Sequence, residues 1–420
     1  MKKLIVLFAA IALVGFAVPA MAVDWNFYGS ARMATFWSSN DFDESTLRAG
    51  DSVVTEDSEL QWSLQGNSRI GAKVKHEAVS GQIELGLKGN GGGDVDVGTR
   101  RVYGTWNFGA GSLKVGKDYT PVSQFISGQV YDADLGLLGI GTMYGARIGQ
   151  VALSFGGFEI AFMDPNTPQL TVAGADAARA ALLDSAQALI DSGIENDSLD
   201  QYLVGLLARS IAEDIPEFGD TTGDVDKVIP KIEAKWGMGF DTWNFNIRGG
   251  YQYYSIEDQQ AVGSTDTNDL DITSYIIGAD VGWNFGPGYL KGAVSYGQNV
   301  GNAGWALPNS TSAAGSAFWD GDDDTNDVNT WMAALVAGIK VSDMMAFEGG
   351  FGIRQDDPKD NDNGFDEKQT PWAAYVQGVF TLAPGVYLIP EVGYFDWDKD
   401  YQDNDAGSTW YGGAKWQIDF

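Results

Sequence analysis

Trp410-Tyr411-Gly412-Gly413-Ala414-Lys415-Trp416-Gln417-Ile418-Asp419-Phe420 is the stretch that decides how the rest of the chain is read. Trp410, Ala414, Trp416, Ile418 and Phe420 share one parity while Lys415, Gln417 and Asp419 share the other, the two-residue period of a strand with one apolar and one wet face. The segment finishes on an aromatic side chain, which a soluble sheet has little reason to expose and a barrel rim at a membrane interface does. The expected fold class is therefore all-β, a transmembrane β-barrel.

Working back from that strand, the same rhythm recurs at about 25–37, 58–76, 81–89, 99–108, 112–118, 142–154, 157–163, 229–240, 243–254, 270–286, 288–298, 329–341, 344–354, 371–382, 385–397 and 408–420, which makes 16 strands. In 60–75, Leu60, Trp62, Leu64, Ile70, Ala72 and Val74 fall on one face, against Gln61, Ser63, Gln65, Asn67, Arg69, Lys73 and Lys75 on the other. Tight turns such as Gly109-Ala110-Gly111, Gly286-Pro287-Gly288 and Ala383-Pro384-Gly385 alternate with longer polar connections at 38–56, 90–98, 119–141, 164–228, 255–269, 299–328, 355–370 and 398–407. Strict alternation of short and long puts the short turns on one rim and the long loops on the other. It predicts a 16-stranded antiparallel transmembrane β-barrel with both ends on the short-turn, periplasmic side.

Aromatic residues gather beside the tight turns (Trp106, Phe108, Trp243, Trp283, Phe285, Phe380) and again near the loop ends (Trp37, Trp372, Tyr394, Trp397, Trp410), the two belts expected at two interfaces. One loop differs in kind. Within 164–228, Leu182, Leu183, Ala186, Leu189 and Ile190 form one helical stripe, and Leu199, Leu203, Leu206, Leu207 and Ile211 a second, so a helical insertion is expected in that extracellular loop.

The amino-terminal 22 residues have Lys2 and Lys3, an apolar run from Leu4 to Val18 and the small-residue pattern Ala20-Met21-Ala22, as a secretory signal peptide has. Its removal takes 22 of 420 residues, two lysines among them, leaving 398 residues and moving the formal charge from −31 to −33. No later stretch reaches the roughly 18 consecutive apolar residues that a membrane helix needs, so spans must be strands. There is no cysteine for a disulfide or a thiolate metal site. So acidic a chain argues against nucleic-acid partners and, taken as a whole, predicts a preference for cations.

Sixteen strands, eight short-turn and long-loop repeats, the opening strand from Trp25 to Trp37 and the aromatic end resemble the general (non-specific) trimeric porins of Gram-negative outer membranes. The sharpest local likeness is Gly116-Lys117-Asp118-Tyr119-Thr120-Pro121, similar to the Gly-Arg-x-x-Thr-Pro type of segment that opens the third loop in that family, with lysine here for the more usual arginine. The resemblance implies a homotrimer in the bacterial cell outer membrane, surrounded by lipid and lipopolysaccharide and passing small hydrophilic solutes and ions. It also implies that 119–141 folds into the barrel as the constriction loop of the 23–420 domain. Carried over, the acidic side of the constriction is Asp118, Asp132 and Asp134, and the basic side is Arg32, Arg69, Lys73 and Arg101, opposite charges setting up a field across the gap.

Other candidate sites are weaker. In the acidic runs Asp320–Asp324 and 356–367, an EF-hand register fails at Lys359, and the runs read as solvated loops, with divalent bridging to lipopolysaccharide as the remaining reading. His76 is the only histidine, so triad or metal chemistry lacks its parts and no cofactor, metal site or enzymatic activity is expected. Gly89-Asn90-Gly91-Gly92-Gly93 lacks the Lys-Ser/Thr of a phosphate loop. A solute-specific channel of the same barrel architecture is the alternative function, an outer-membrane hydrolase and a secreted β-sandwich the more distant ones.

Overall fold

The computed structural model describes residues 23–41, 56–89, 95–170, 190, 222–260, 267–306, 315–319, 325–359, 367–399 and 405–420. The expected leader at 1–22, the two helix-periodic stripes of 164–228 apart from Ile190, the Asp320–Asp324 run, most of the 356–367 run and Asn90–Gly93 lie outside those residues.

Alternating sequence becomes sixteen antiparallel staves. They are β1 (Asp24–Asp41), β2 (Glu56–Leu64 continuing as Ser68–His76), β3 (Val79–Gly89), β4 (Val95–Asn107), β5 (Ser112–Tyr119), β6 (Arg147–Phe155), β7 (Phe158–Met163) and β8 (Thr222–Asp226 continuing as Lys231–Gly239). The second half is β9 (Trp243–Gln260), β10 (Thr267–Phe285), β11 (Gly288–Gln298), β12 (Val328–Ser342), β13 (Met345–Pro358), β14 (Trp372–Ala383), β15 (Val386–Asp396) and β16 (Ser408–Asp419). Each pairs with the next, and β1 pairs with β16 from Ser30↔Asp419 to Asp41↔Ser408, so the sheet closes without an edge. At the seam Gly29 N–H donates to the Phe420 carbonyl at 2.7 Å and Phe420 N–H to that of Gly29 at 3.1 Å. A Cβ at Gly29 would lie 2.4 Å from the exposed Phe420 ring, which would have to swing aside to admit it.

The two interrupted staves have local causes. In β8 the break at 227–230 contains Pro230, which has no N–H to give to the ladder. In β2 the chain from Leu64 to Arg69 is two residues longer than its β1 partner, since Met33 pairs with Leu64 and Ser30 with Arg69. The excess chain points Gln65 and Asn67 inward, where both are buried.

A belt of exposed apolar side chains runs round the outside, for example Trp25, Trp62, Ile83, Val115, Phe162, Trp243, Ile277, Leu335, Val376 and Trp416. A water-soluble monomer exposes apolar patches of only a few hundred Å², whereas here the whole circumference is apolar, as lipid contact demands. Aromatic contacts mark the two ends. Trp243 stacks on Trp283 at 5.2 Å near the tight turns, and Trp372, Tyr394 and Trp410 follow one another at 5.2 and 4.5 Å near the long loops. Trp397 departs from the expected belt: it stacks inside on Phe395 at 5.3 Å, because it shares that residue's inward parity. The sixth strand begins at Arg147 rather than near 142, since 142–146 belong to a segment that turns into the barrel.

The packed core lies between that segment and the wall rather than inside a sandwich of layers. Ile126, Val130, Leu137 and Ile140 of the segment are buried against inward-facing Phe36, Ala334, Val336, Ala373, Ile389 and Phe395. Val122 and Met143 pack with Ile276, Met332 and Trp305 in a second cluster.

Candidate functional site

Residues 120–146 leave the end of β5, cross the lumen along its wall and return to β6. A strand in the barrel satisfies its backbone by pairing, but this segment has no ladder, so buried N–H and C=O groups need partners from the wall. Wall carboxylates take the N–H groups. Glu233 accepts from Val122 at 3.1 Å, Glu348 from Gly128 at 2.7 Å, and Glu391 from Val130 at 2.7 Å and Tyr131 at 3.0 Å. Wall donors take the carbonyls: Arg248 reaches Pro121 at 2.8 Å, Lys291 reaches Ile126 at 3.1 Å, Gln377 reaches Gly128 at 2.9 Å and Arg354 reaches Gly139 at 2.7 Å. The bulged Gln65 and Asn67 bind the carbonyls of Val130 and Ala133.

These contacts run in order round β8, β9, β11, β13, β14, β15 and β16 to β1 and β2. The segment is thus a lining on half the wall. It sits close: a Cβ on Gly141 would lie 2.7 Å from the Gly352 Cα. Its tip, α1 (Tyr131–Asp134), is a short turn in which Asp132 and Ala133 have left-handed backbone (φ 46° and 60°), followed by Asp134 and Leu137 at 66° and 57°. Such conformations cost of order 1–2 kcal/mol each in an L-residue and persist where surrounding contacts over-determine them. Here the Asp134 carboxylate supplies those contacts, receiving Arg32, Asn67 and, at 2.7 Å, Lys415.

The other half of the wall stays open to the lumen. Glu84 lies between Arg100 at 2.9 Å and Arg69 at 3.8 Å. Asp118 lies between Arg101 at 2.7 Å and Lys114 at 3.1 Å, and Lys114 also reaches Glu159 at 3.2 Å. Arg147 donates to the Tyr119 hydroxyl at 2.9 Å and stands over its ring. Between this wall and the lining are two openings. One, of about 400 Å³, is bounded by Arg69, Arg100, Arg147, Phe125 and Asp134. The other, of about 570 Å³, is bounded by Arg101, Lys114, Lys235, Arg248 and Asp280. Phe125 is half exposed and forms an aromatic edge of the gap with Tyr119 at 4.8 Å and Tyr144 at 6.2 Å. Burial raises the Tyr144 hydroxyl above the ordinary phenol value, so it carries no charge into the gap.

The residues singled out from sequence divide in place. Arg69 and Arg101 stand on the open wall. Arg32 stands on the lined wall, where it ties down Asp134. Lys73 lies four residues nearer the tight turn than Arg69, about 13 Å along the stave at ~3.3 Å per residue, over the Tyr28 ring and outside both openings. Asp118 belongs to β5 rather than to the lining, and Asp132 is exposed without an ion pair among the described residues.

Sequence reasoning missed Arg100, Lys114, Arg147, Lys415 and the covered carboxylates. Arg100 has a specific cause. Glu84 pairs with Arg101 and Leu85 with Thr99, so Arg100 is the extra residue of a bulge, which lets two consecutive arginines face inward. Strict alternation allows only one of them. The signal that was available for the lining is the inward apolar parity of Phe36, Ala334, Val336 and Ile389, which a water-filled wall has no use for.

No protein family matches the sequence, nor does any curated protein. Among solved structures the chain is similar to an anion-selective porin from Comamonas acidovorans, with a TM-score of 0.53 and 14% identity over 95% of this chain and 100% of that one. It is similar also to the trimer form of OmpT, an outer membrane protein of Vibrio cholerae, with a TM-score of 0.51 and 12% identity over 94% and 100% of the two chains. Salmonella typhi OmpF, in a complex with daunomycin, aligns with a TM-score of 0.50 and 12% identity over 94% and 97%. At such identities the likeness is one of fold, a 16-stranded outer-membrane barrel.

Proposed function

We propose that this chain is a porin of the bacterial outer membrane, a water-filled channel through which small hydrophilic solutes and ions diffuse passively. One observation carries the reading: a barrel apolar round its whole outer face has a polar lumen narrowed, not filled, by an inward segment that leaves a charged gap. The role asks for no reaction and no cofactor. Solutes are sorted by size at the gap and by the cost of leaving water in a field between fixed charges. A homotrimer in lipid and lipopolysaccharide is part of the proposal, supported by the edge-free apolar exterior, which suits packing of copies side by side. The segment 1–22 serves in it as the export signal.

The test is reconstitution of purified, folded protein in planar bilayers. Stepwise, voltage-independent conductance increments are expected together with recovery from the outer-membrane fraction as a heat-modifiable oligomer. Folded protein that inserts and yields no steps sinks the reading.

The exposed Phe125 beside Tyr119, Tyr144 and Arg147 favours a second reading, a solute-specific channel of the same architecture, because an aromatic edge in a water-filled gap retains planar solutes. Benzoate and acetate have the same charge, so stronger block of ion current by benzoate, abolished in Phe125→Ser, would distinguish it from simple diffusion.

A further inference from the structure

We infer that the pore prefers anions, because the inward lining covers Glu233, Glu348 and Glu391 of the wall while the arginines and lysines that border the remaining openings outnumber the carboxylates there. The inference rests on the channel reading above and deepens it.

The formal charge of −31 belongs to the whole chain. An ion in the gap responds to charges within about one Debye length, ~8 Å at physiological salt, so the distribution near the gap decides. Glu233, Glu348 and Glu391 face inward, but each is buried and its oxygens accept N–H groups of the lining. Tyr375 and Tyr289 take up more of Glu348, and Tyr411 more of Glu391. Their charge is held behind backbone and apolar side chains, away from water.

The carboxylates left beside or just behind the openings are each paired, most of them twice. Glu84 is held by Arg69 and Arg100, Asp118 by Arg101 and Lys114, and Asp134 by Arg32 and Lys415. Glu159 is shared by Lys114 and Lys235, and Asp280 is met by Arg248. Among the described residues no carboxylate pairs with Arg147 or Lys291, which donate to the Tyr119 hydroxyl and the Ile126 carbonyl, both neutral. Nine bases and four acids border the openings, and adding Arg32, Glu84 and Asp132, which border neither, leaves ten to six. Excess fixed charge of one sign in a narrow gap raises the local concentration of the opposite ion. The ligand class is small anions, chloride and carboxylates among them.

The experiment measures the zero-current potential of the reconstituted protein across a roughly tenfold potassium chloride gradient, at low and at high ionic strength. The parent protein is expected to give a potential of chloride sign that persists at molar salt, where screening falls to ~3 Å and charges at the distant mouths drop out. Arg69→Gln/Arg147→Gln is expected to lower the chloride-to-potassium permeability ratio about twofold or more, and Lys114→Gln to lower it in the same direction. Lys368→Gln removes one equal charge from an exposed site paired with Asp357 and is expected to leave the ratio unchanged. Conductance steps with a potential of potassium sign overturn the inference alone, as does an unchanged ratio in conducting Arg69→Gln/Arg147→Gln and Lys114→Gln channels. Absence of steps in the parent overturns the channel reading itself.

Discussion

The two halves of the inner wall use the same alternating strands for different ends. From β8 through β16 to β1 the inward positions mix carboxylates and amides with apolar residues, and many of them, such as Glu233, Val336, Ala373, Glu391 and Phe36, are buried against the 120–146 segment. From the lower part of β2 through β7 many inward positions are charged, and Arg69, Arg100, Arg101, Lys114 and Asp118 border the two openings. The difference teaches that a barrel interior need not be one environment. Half of it acts as a folding template with a dry, hydrogen-bonded interface, and the other half as the surface that solutes meet.

Replacing 122–143 by a short Gly-Ser linker removes that distinction altogether. Single-channel conductance is expected to rise roughly twofold or more, since flow is set by the narrowest section, and an unchanged conductance would show that the lining does not limit the path. Leu137→Ala comes next. Leu137 is fully buried against the wall, so its truncation should cost about 2–5 kcal/mol, read as a lower denaturation temperature with noisier open-channel current. The lining is only loosely held if neither changes.

Glu391→Ala probes the polar part of the same interface. Two lining N–H groups and the Tyr411 hydroxyl lose a charged acceptor, at an expected cost of about 1.5–3 kcal/mol, with Glu391→Gln recovering part of it. Equal stability of the alanine and glutamine variants would show that the carboxylate does not anchor the lining. The smallest effect is expected from Ala133→Gly. Its backbone sits at φ 60°, which glycine adopts freely, so a gain of up to about 1 kcal/mol is expected in equilibrium unfolding, with conductance unaltered. A loss of stability would mean that the Ala133 methyl packs more than the turn strains.

Much of the fold was legible because its rule is local. The stave positions, the turns at Gly286-Pro287 and Pro384-Gly385 and the outward parity of Trp416 and Ile418 follow from the geometry of successive residues in a strand. Arg69 and Arg101 were found on inward parity for the same reason. The rule fails where the period of two is broken. The bulge at Arg100 turns inward a side chain that alternation assigns to the other face, and nothing in its immediate neighbours announces it.

A residue's parity in a strand is settled by the few residues on either side, and so alternation alone carried the class of fold, the number of staves and the face that meets lipid. Partnership across the lumen is another matter. Asp134 meets Lys415, 281 residues away, and Val130 meets Glu391, 261 away, only because closure of β1 on β16 brings distant staves round one another. Which charges are covered and which face water is therefore a property of the closed barrel with its lining in place. Net charge, being a sum over the chain, holds no record of it.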